Sequence, residues 1–282
     1  MKKIITLLIC VGSLATGVFA KSKPDQIKIY KTPQGKPLKL YIFNPKNLKP
    51  TDHRPAIIFF FGGGWISGSP RQFYQQARAF ADLGFVAISA DYRTEKSHKT
   101  TPFECVKDGK SAIRWVREHA KELSVNPTKI IAAGGSAGGH VAACTGVIKG
   151  CEEAGENLKI SSCPNAMILS NPVIDTTEKG YGLKKVTEAR KTEISPCHQV
   201  HKGIPPTLIF HGTADTTVPF ENVERFTRLM KEAGNTCILI PFKGKSHGFF
   251  NGAEFRAKNG NEAFDKIMAE SIKFLKSLGY LK

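Results

Sequence analysis

The sequence predicts an α/β fold in which a mostly parallel central sheet of about eight strands carries helices on both faces. Two observations lead to this. Short, continuously apolar runs such as Ala56 to Phe61 and Phe85 to Ala90 alternate with segments of helical period, and strands apolar at every residue belong to parallel sheets buried on both sides. Further along, a serine between glycines, Gly134-Gly135-Ser136-Ala137-Gly138, stands where another such run gives way to a helix. A sharp strand-to-helix turn of this kind exposes the serine hydroxyl.

Taken in order, Gln26 to Lys31 and Pro37 to Phe43 read as an edge hairpin, the second run alternating Leu38, Leu40 and Ile42 with other residues. The buried strand Ala56 to Phe61 ends in Gly62-Gly63-Gly64. A helix over Phe73 to Leu83 leads to Phe85 to Ala90, and Cys105, Gly109, Ala112, Ile113, Val116 and Ala120 mark the next helix by their spacing. Lys129 to Ala133 forms the strand before the serine turn. Ala166 to Asn171, Thr207 to His211 and Thr236 to Phe242 are further strands. Val223, Phe226, Leu229, Met230 and Ala233 stripe one later helix, and Phe264, Ile267, Met268, Ile272 and Leu275 stripe the last. Residues 172–206 show no sustained period and many turn residues, and are expected to run over the mouth of a site.

Residues 1–20 are set apart. Lys2 and Lys3, the apolar run Ile4 to Val11 and the small-residue signal Val18-Phe19-Ala20 read as a secretory signal peptide, which implies a secreted or periplasmic protein. Ile9 before Cys10 argues against a lipid anchor there. The rest, residues 21–282, is expected to form a single domain. Its six cysteines are Cys105, Cys144, Cys151, Cys163, Cys197 and Cys237. An exported chain could bridge them in any of several ways. Cys151, Cys163 and Cys197, in loop-like sequence, are the better bridge candidates, whereas Cys105, Cys144 and Cys237 serve equally well as buried apolar residues. No zinc-ligand pairing is present. The net charge of +17 is spread along the whole chain, which argues against a nucleic-acid site and for a solvated basic surface.

The glycine-rich turn at Ser136 is not a P-loop, because no Gly-Lys-Ser/Thr follows, and it lacks the dinucleotide fingerprint. No cofactor or metal is therefore expected. A serine hydroxyl needs a base, and the base needs a carboxylate to fix its tautomer. Asp215, in His211-Gly212-Thr213-Ala214-Asp215, and His247, in Ser246-His247-Gly248-Phe249, each follow a buried strand, at the strand ends where open parallel sheets place their sites. Asp175 is the rival acid and is set second because Gly212 and Val218-Pro219 give Asp215 a defined turn. His211 is expected to shape that turn, and His53, His98, His119, His198 and His201 to lie at the surface. The backbone N–H groups of Gly63, Gly64 and Ala137 are the candidates for an oxyanion hole.

With these motifs in view, the chain resembles the α/β-hydrolase esterases and lipases related to hormone-sensitive lipase and to bacterial acetyl and feruloyl esterases. The resemblance rests on Phe61-Gly62-Gly63-Gly64-Trp65, Asp91-Tyr92-Arg93, Pro102 with Asp108 and Trp115, the Ser136 turn, His211 to Asp215 with Val218-Pro219, and Ser246 to Phe249. It implies a serine ester hydrolase working through an acyl-enzyme and, taken with the expected signal peptide and an open site, one that is exported and acts on acetyl, feruloyl or other short acyl esters carried by small molecules or polysaccharide. Two departures stand out. Phe61 replaces the histidine the family usually sets before the triple glycine, which removes the polar support expected for the oxyanion loop. The segment before that loop is also too short for the helical cap of many relatives, so an open site is expected. The rival readings are a prolyl-oligopeptidase-type serine peptidase, whose gating domain a chain of this length leaves no room for, and a silent hydrolase fold used for binding.

Overall fold

The computed structural model describes residues 22–281; the expected signal peptide lies outside them. The chain runs β1 (Gln26–Lys31), β2 (Leu38–Phe43), β3 (Arg54–Phe60), α1 (Tyr74–Asp82), β4 (Val86–Ala90), α2 (Glu95–His98), α3 (Pro102–Glu118) and β5 (Val125–Gly135). It continues through α4 (Ala137–Val147), β6 (Ala166–Ser170), α5 (Leu183–Val186), β7 (Thr207–Gly212), α6 (Phe220–Glu232), β8 (Cys237–Phe242) and α7 (Glu262–Ser277). All eight strands lie in one sheet, ordered β1-β2-β4-β3-β5-β6-β7-β8. β1 and β2 form the antiparallel edge hairpin, β2 meets β4 antiparallel, and every later pairing is parallel.

Side-chain alternation explains why the central strands must be apolar throughout. In β3, Ala56, Ile58 and Phe60 pack with α3, α4 and α6 on one face, while Ile57 and Phe59 pack with α1 and α7 on the other. Period 2 therefore sends every residue of the strand into a core, one face or the other. α3 begins with Pro102 at its first turn, where a missing N–H costs nothing, and the Glu104 carboxylate accepts from the Thr101 N–H and hydroxyl. Asp108, fully buried on α3, takes Arg93 as a two-pronged partner (Nε to Oδ2 2.8 Å, Nη2 to Oδ1 2.7 Å) and also accepts the Arg93 N–H. That pair ties the exit of β4 to α3. α4 is buried at every residue, so it carries no amphipathic stripe.

Several expectations are corrected. β5 begins at Val125, four residues early, because Val125 pairs with Arg54 across a register irregularity. α2 has no apolar stripe to announce it. Residues 172–206 are only partly an excursion, since Val173, Ile174, Ile194 and Cys197 are buried in the main core. His98 is buried rather than exposed. All six cysteines of the described residues are free thiols: the bridge candidate Cys197 is buried, with its thiol directed at the Asn222 carbonyl, and the Cys151 thiol is directed at that of Phe103.

Ile58 is fully buried in the central strand. Ile58→Ala should lower unfolding stability by about 2–5 kcal/mol through lost burial and a residual cavity, read as a lower midpoint in urea with unchanged slope.

Candidate active site

The site is assembled at the C-terminal ends of β3, β5, β6, β7 and β8. Ser136, between β5 and α4, has φ +57° and ψ −123°, a conformation costly for any residue with a side chain. The turn exists because its neighbours have no side chain. A Cβ on Gly138 would lie 2.0 Å from the Phe60 carbonyl oxygen, and one on Gly134 would lie 2.4 Å from that of Gly138. The Ser136 N–H is held by the Ser170 carbonyl at 2.9 Å.

Three side chains stand in line. His247 Nε2 is 2.7 Å from Ser136 Oγ, and His247 Nδ1 is 2.7 Å from Asp215 Oδ2. A carboxylate only accepts, so Nδ1 carries the proton and Nε2 presents its lone pair to the serine hydroxyl. Asp215 is buried and surrounded by donors. Its Oδ1 accepts the N–H groups of Thr217 (2.8 Å) and Val218 (3.0 Å), and its Oδ2 accepts Asn171 Nδ2 (2.6 Å), with His211 Nε2 at 3.2 Å. Burial alone would raise its pKa, but the hydrogen bonds from His211, His247 and Val218 prevail and hold it well below the usual carboxylate range. His211 also reaches the Val218 carbonyl at 3.0 Å, bracing the turn as expected. Asp175 stands apart, its carboxylate bonded to Arg225 and to the Thr177 N–H.

Opposite His247, the triple-glycine loop turns through positive φ at Gly63 (+133°), Gly64 (+62°) and Trp65 (+60°). A Cβ on Gly63 would fall 1.8 Å from the Ser67 carbonyl oxygen, so the loop cannot close with any other residue there. Among the described residues, the N–H groups of Gly63, Gly64 and Ala137 have no protein acceptor. The cleft of about 640 Å³ is lined by Gly63, Gly64, Ser136 and His247, with Tyr181 from the 172–206 segment on one wall. Tyr181 leans over Gly64: a Cβ there would come within 2.9 Å of its hydroxyl.

Phe61 does not leave this loop without polar support. Its ring stacks on Tyr92 at 4.1 Å between centroids, and the Tyr92 hydroxyl donates to the Phe61 carbonyl at 2.6 Å. Gln72 Oε1 accepts the Gly62 N–H at 2.6 Å, while its amide donates to Asn251 Oδ1 at 2.8 Å; Asn251 Nδ2 in turn reaches the Gly248 carbonyl at 2.9 Å. A buried amide pair thus joins the triple-glycine loop to the residue after His247. The sequence reading missed Gln72, Asn251, Asn171 and His140. Asn171 left a signal, being polar at the end of a buried strand beside the site; the amide pair, 179 residues apart in the chain, left none.

His140, one turn below Ser136 on α4, is fully buried beside Trp65 (centroids 5.1 Å, edge-on) and pairs its Nε2 with the Ile194 carbonyl at 2.7 Å. Burial pushes its pKa down to about 4, against a weaker upward pull from that hydrogen bond.

This sheet order, with a serine at a strained strand-to-helix turn and an acid and histidine on the following strands, defines an α/β-hydrolase. Residues 40–187 match the BD-FAE family, and residues 162–269 match the prolyl oligopeptidase family; the chain belongs to the BD-FAE family of α/β-hydrolases. Esterase 2 of Thermogutta terrifontis, solved in phosphoramylated form, is 49% identical, superposes with a TM-score of 0.85, and is matched over 91% of this chain and 95% of its own. Other structures of that esterase hold propionate or butyrate. Esterase LipC of Mycobacterium tuberculosis is 27% identical over 71% of this chain and 54% of its own length. For a probable isoprenylcysteine alpha-carbonyl methylesterase of Arabidopsis thaliana, ICMEL1, the values are 26%, 74% and 48%. The chain spans about half the length of these two curated relatives.

The His140 environment has a consequence for stability. Above pH 6.5 the imidazole is neutral whether the chain is folded or not. Between pH 6.5 and about 4 the unfolded chain takes up a proton that the folded one refuses, so stability falls as pH is lowered through that window. Denaturation at pH 7.5 and 4.5 should show a His140→Gln variant losing roughly 2–3 kcal/mol less than the native protein over that interval; equal losses would refute the assignment.

Proposed function

We propose that this protein is a serine carboxylic ester hydrolase that works through an acyl-enzyme. The observation that supports this most is the unbroken hydrogen-bonded line Ser136–His247–Asp215, with the backbone N–H groups of Gly63 and Gly64 in the same cleft and that of Ala137 next in the chain, all without protein acceptors among the described residues. In this reading Ser136 Oγ attacks the ester carbonyl while its proton passes to His247 Nε2. Asp215, held ionised by its donors, stabilises the imidazolium that results. The oxyanion is received by the N–H groups of Gly63, Gly64 and Ala137. His247 then gives its proton to the departing alkoxide, leaving the acyl group on Ser136. Water, deprotonated by the same imidazole, attacks the acyl-enzyme, and the acid leaves as Ser136 regains its proton.

The esterase whose structures hold propionate and butyrate argues for short acyl groups. The basic leader Lys2-Lys3 and the apolar run after it support export to the periplasm or medium, where acetyl or feruloyl esters of polysaccharide are accessible substrates. The similarity of residues 162–269 to the prolyl oligopeptidase family favours a second reading as a peptidase; cleavage of a proline anilide faster than of p-nitrophenyl acetate would select it.

A panel of p-nitrophenyl esters from acetyl to long-chain, with acetylated xylan and methyl ferulate, tests the main reading. Short acyl esters should turn over fastest, and Ser136→Ala should reduce kcat by at least on the order of 10³-fold. Paraoxon should inactivate the native protein with a diethylphosphoryl group on the peptide bearing Ser136, and should leave Ser136→Ala unlabelled. Full activity in that variant would overturn the mechanism.

Gln72→Leu removes the acceptor for the Gly62 N–H and the link to Asn251. The expected result is a fall in kcat on the order of tenfold with KM little changed, because the loop is needed most when charge develops on the oxyanion.

A further inference from the structure

We propose that Arg256 is a specificity-determining residue that binds a carboxylate on the alcohol portion of the ester. The proposal rests on the ester-hydrolase reading of the site. Among the described residues, the lining of the cleft around Ser136 holds no aspartate or glutamate, and Arg256 is its one lysine or arginine. Among the described residues, no carboxylate forms an ion pair with its guanidinium, and the side chain makes no hydrogen bond. The acid nearest in sequence, Glu254, is turned away and holds the N–H and hydroxyl of Ser22. Elsewhere in the fold, Arg93 is matched by Asp108, Arg114 by Glu152 and Arg225 by Asp175, and Arg117, which has no carboxylate partner, is taken up by the carbonyls of Pro127 and Cys163.

The placement of the guanidinium points to the alcohol side. Arg256 packs against Gly248, so closely that a Cβ there would lie 2.2 Å from Nη1, and Gly248 directly follows His247. In ester hydrolysis the leaving oxygen must come within hydrogen-bond reach of the imidazole that protonates it. The alcohol's substituent therefore starts beside His247, in the direction of Arg256. The backbone that carries the arginine is well tied: Asn259 Nδ2 donates to the carbonyls of Gly248 (2.8 Å) and Asn251 (2.9 Å), and the Arg256 N–H is bonded to the Gly252 carbonyl at 3.0 Å. A guanidinium is a planar fork of donors that matches a carboxylate with two parallel bonds. Phe255, exposed at the same rim, offers an apolar face for the ring of such an alcohol.

The test uses 3- and 4-acetoxybenzoate, whose phenol carries a carboxylate, beside the neutral 3- and 4-acetoxybenzamide, on the native protein and on Arg256→Met and Arg256→Lys. The readout is the ratio of kcat/KM for the anionic ester to that for its neutral partner. In Arg256→Met this ratio should fall about five- to tenfold, with an intermediate fall in Arg256→Lys, which keeps the charge and loses the fork. Added salt should lower the ratio in the native protein and leave it flat in Arg256→Met. A ratio that is the same in all three proteins, with both esters cleaved, overturns the role of Arg256 and leaves the ester-hydrolase reading standing. Failure of the native protein to cleave either ester while it cleaves p-nitrophenyl acetate overturns the role of Arg256 alone; failure on p-nitrophenyl acetate as well overturns the ester-hydrolase reading, and the proposal with it.

Discussion

The contact on which the site depends is the near-touching of α4 and β3 beneath Ser136. At Gly138 the helix backbone comes so close to the Phe60 carbonyl that a single methyl group would collide with it. That proximity brings the Ser136 turn and the triple-glycine loop, which arise from different strands, to opposite sides of one small space. It also explains the composition of α4. A helix seated this deeply has no face left for water, so small and apolar residues fill most of it, and burial holds both of its ionisable side chains neutral, lowering the pKa of His140 and raising that of the Cys144 thiol.

Around this contact, polar groups are spent on orientation. Asp215 receives two backbone N–H groups and the side chains of Asn171, His211 and His247. A buried carboxylate so surrounded has little freedom to rotate or to take up a proton, and the histidine it holds inherits that rigidity. The Gln72–Asn251 pair does for the loops what Asp215 does for the imidazole. It links the N–H side of the cleft to the histidine side through two buried amides, so the distance between them is fixed from within the protein.

Much of this was legible in the sequence because the relevant physics is local. The run Ile130 to Ala133 followed by Gly134-Gly135-Ser136 declares a buried strand and a forbidden turn in one stretch, and Asp215 and His247 follow strands that period and apolarity locate. The edge hairpin and the parallel order came from the same patterns. What stayed hidden was long-range. Gln72 sits in a short 3₁₀ turn before α1 and looks like any surface polar residue until Asn251 is brought to it. Val173, Ile174 and Cys197 could not be placed in the core by a segment with no period. His98 looked exposed because nothing in its polar local sequence marks its burial. The substitution of Phe61 for histidine looked like a loss because the Tyr92 hydroxyl that serves the same loop lies 31 residues away.

The segment of residues 172–206 is anchored at both roots and once between them, where Val186 is fully buried in the main core. Val173, Ile174 and Asp175 at one end, and Ile194, Ser195 and Cys197 at the other, are buried, with Asp175 clamped by Arg225. Between them Glu178, Lys184 and residues 188–190 are exposed, and Tyr181 hangs over Gly64. The exposed stretches between such anchors can be lengthened, shortened or exchanged at small cost in folding free energy, provided Val186 keeps its place in the core, because loop closure depends only weakly on length once the ends are fixed. The wall of the cleft that carries Tyr181 is therefore the natural place for substrate range to drift, or for an engineer to graft a new one, while the serine, histidine and aspartate remain as they are.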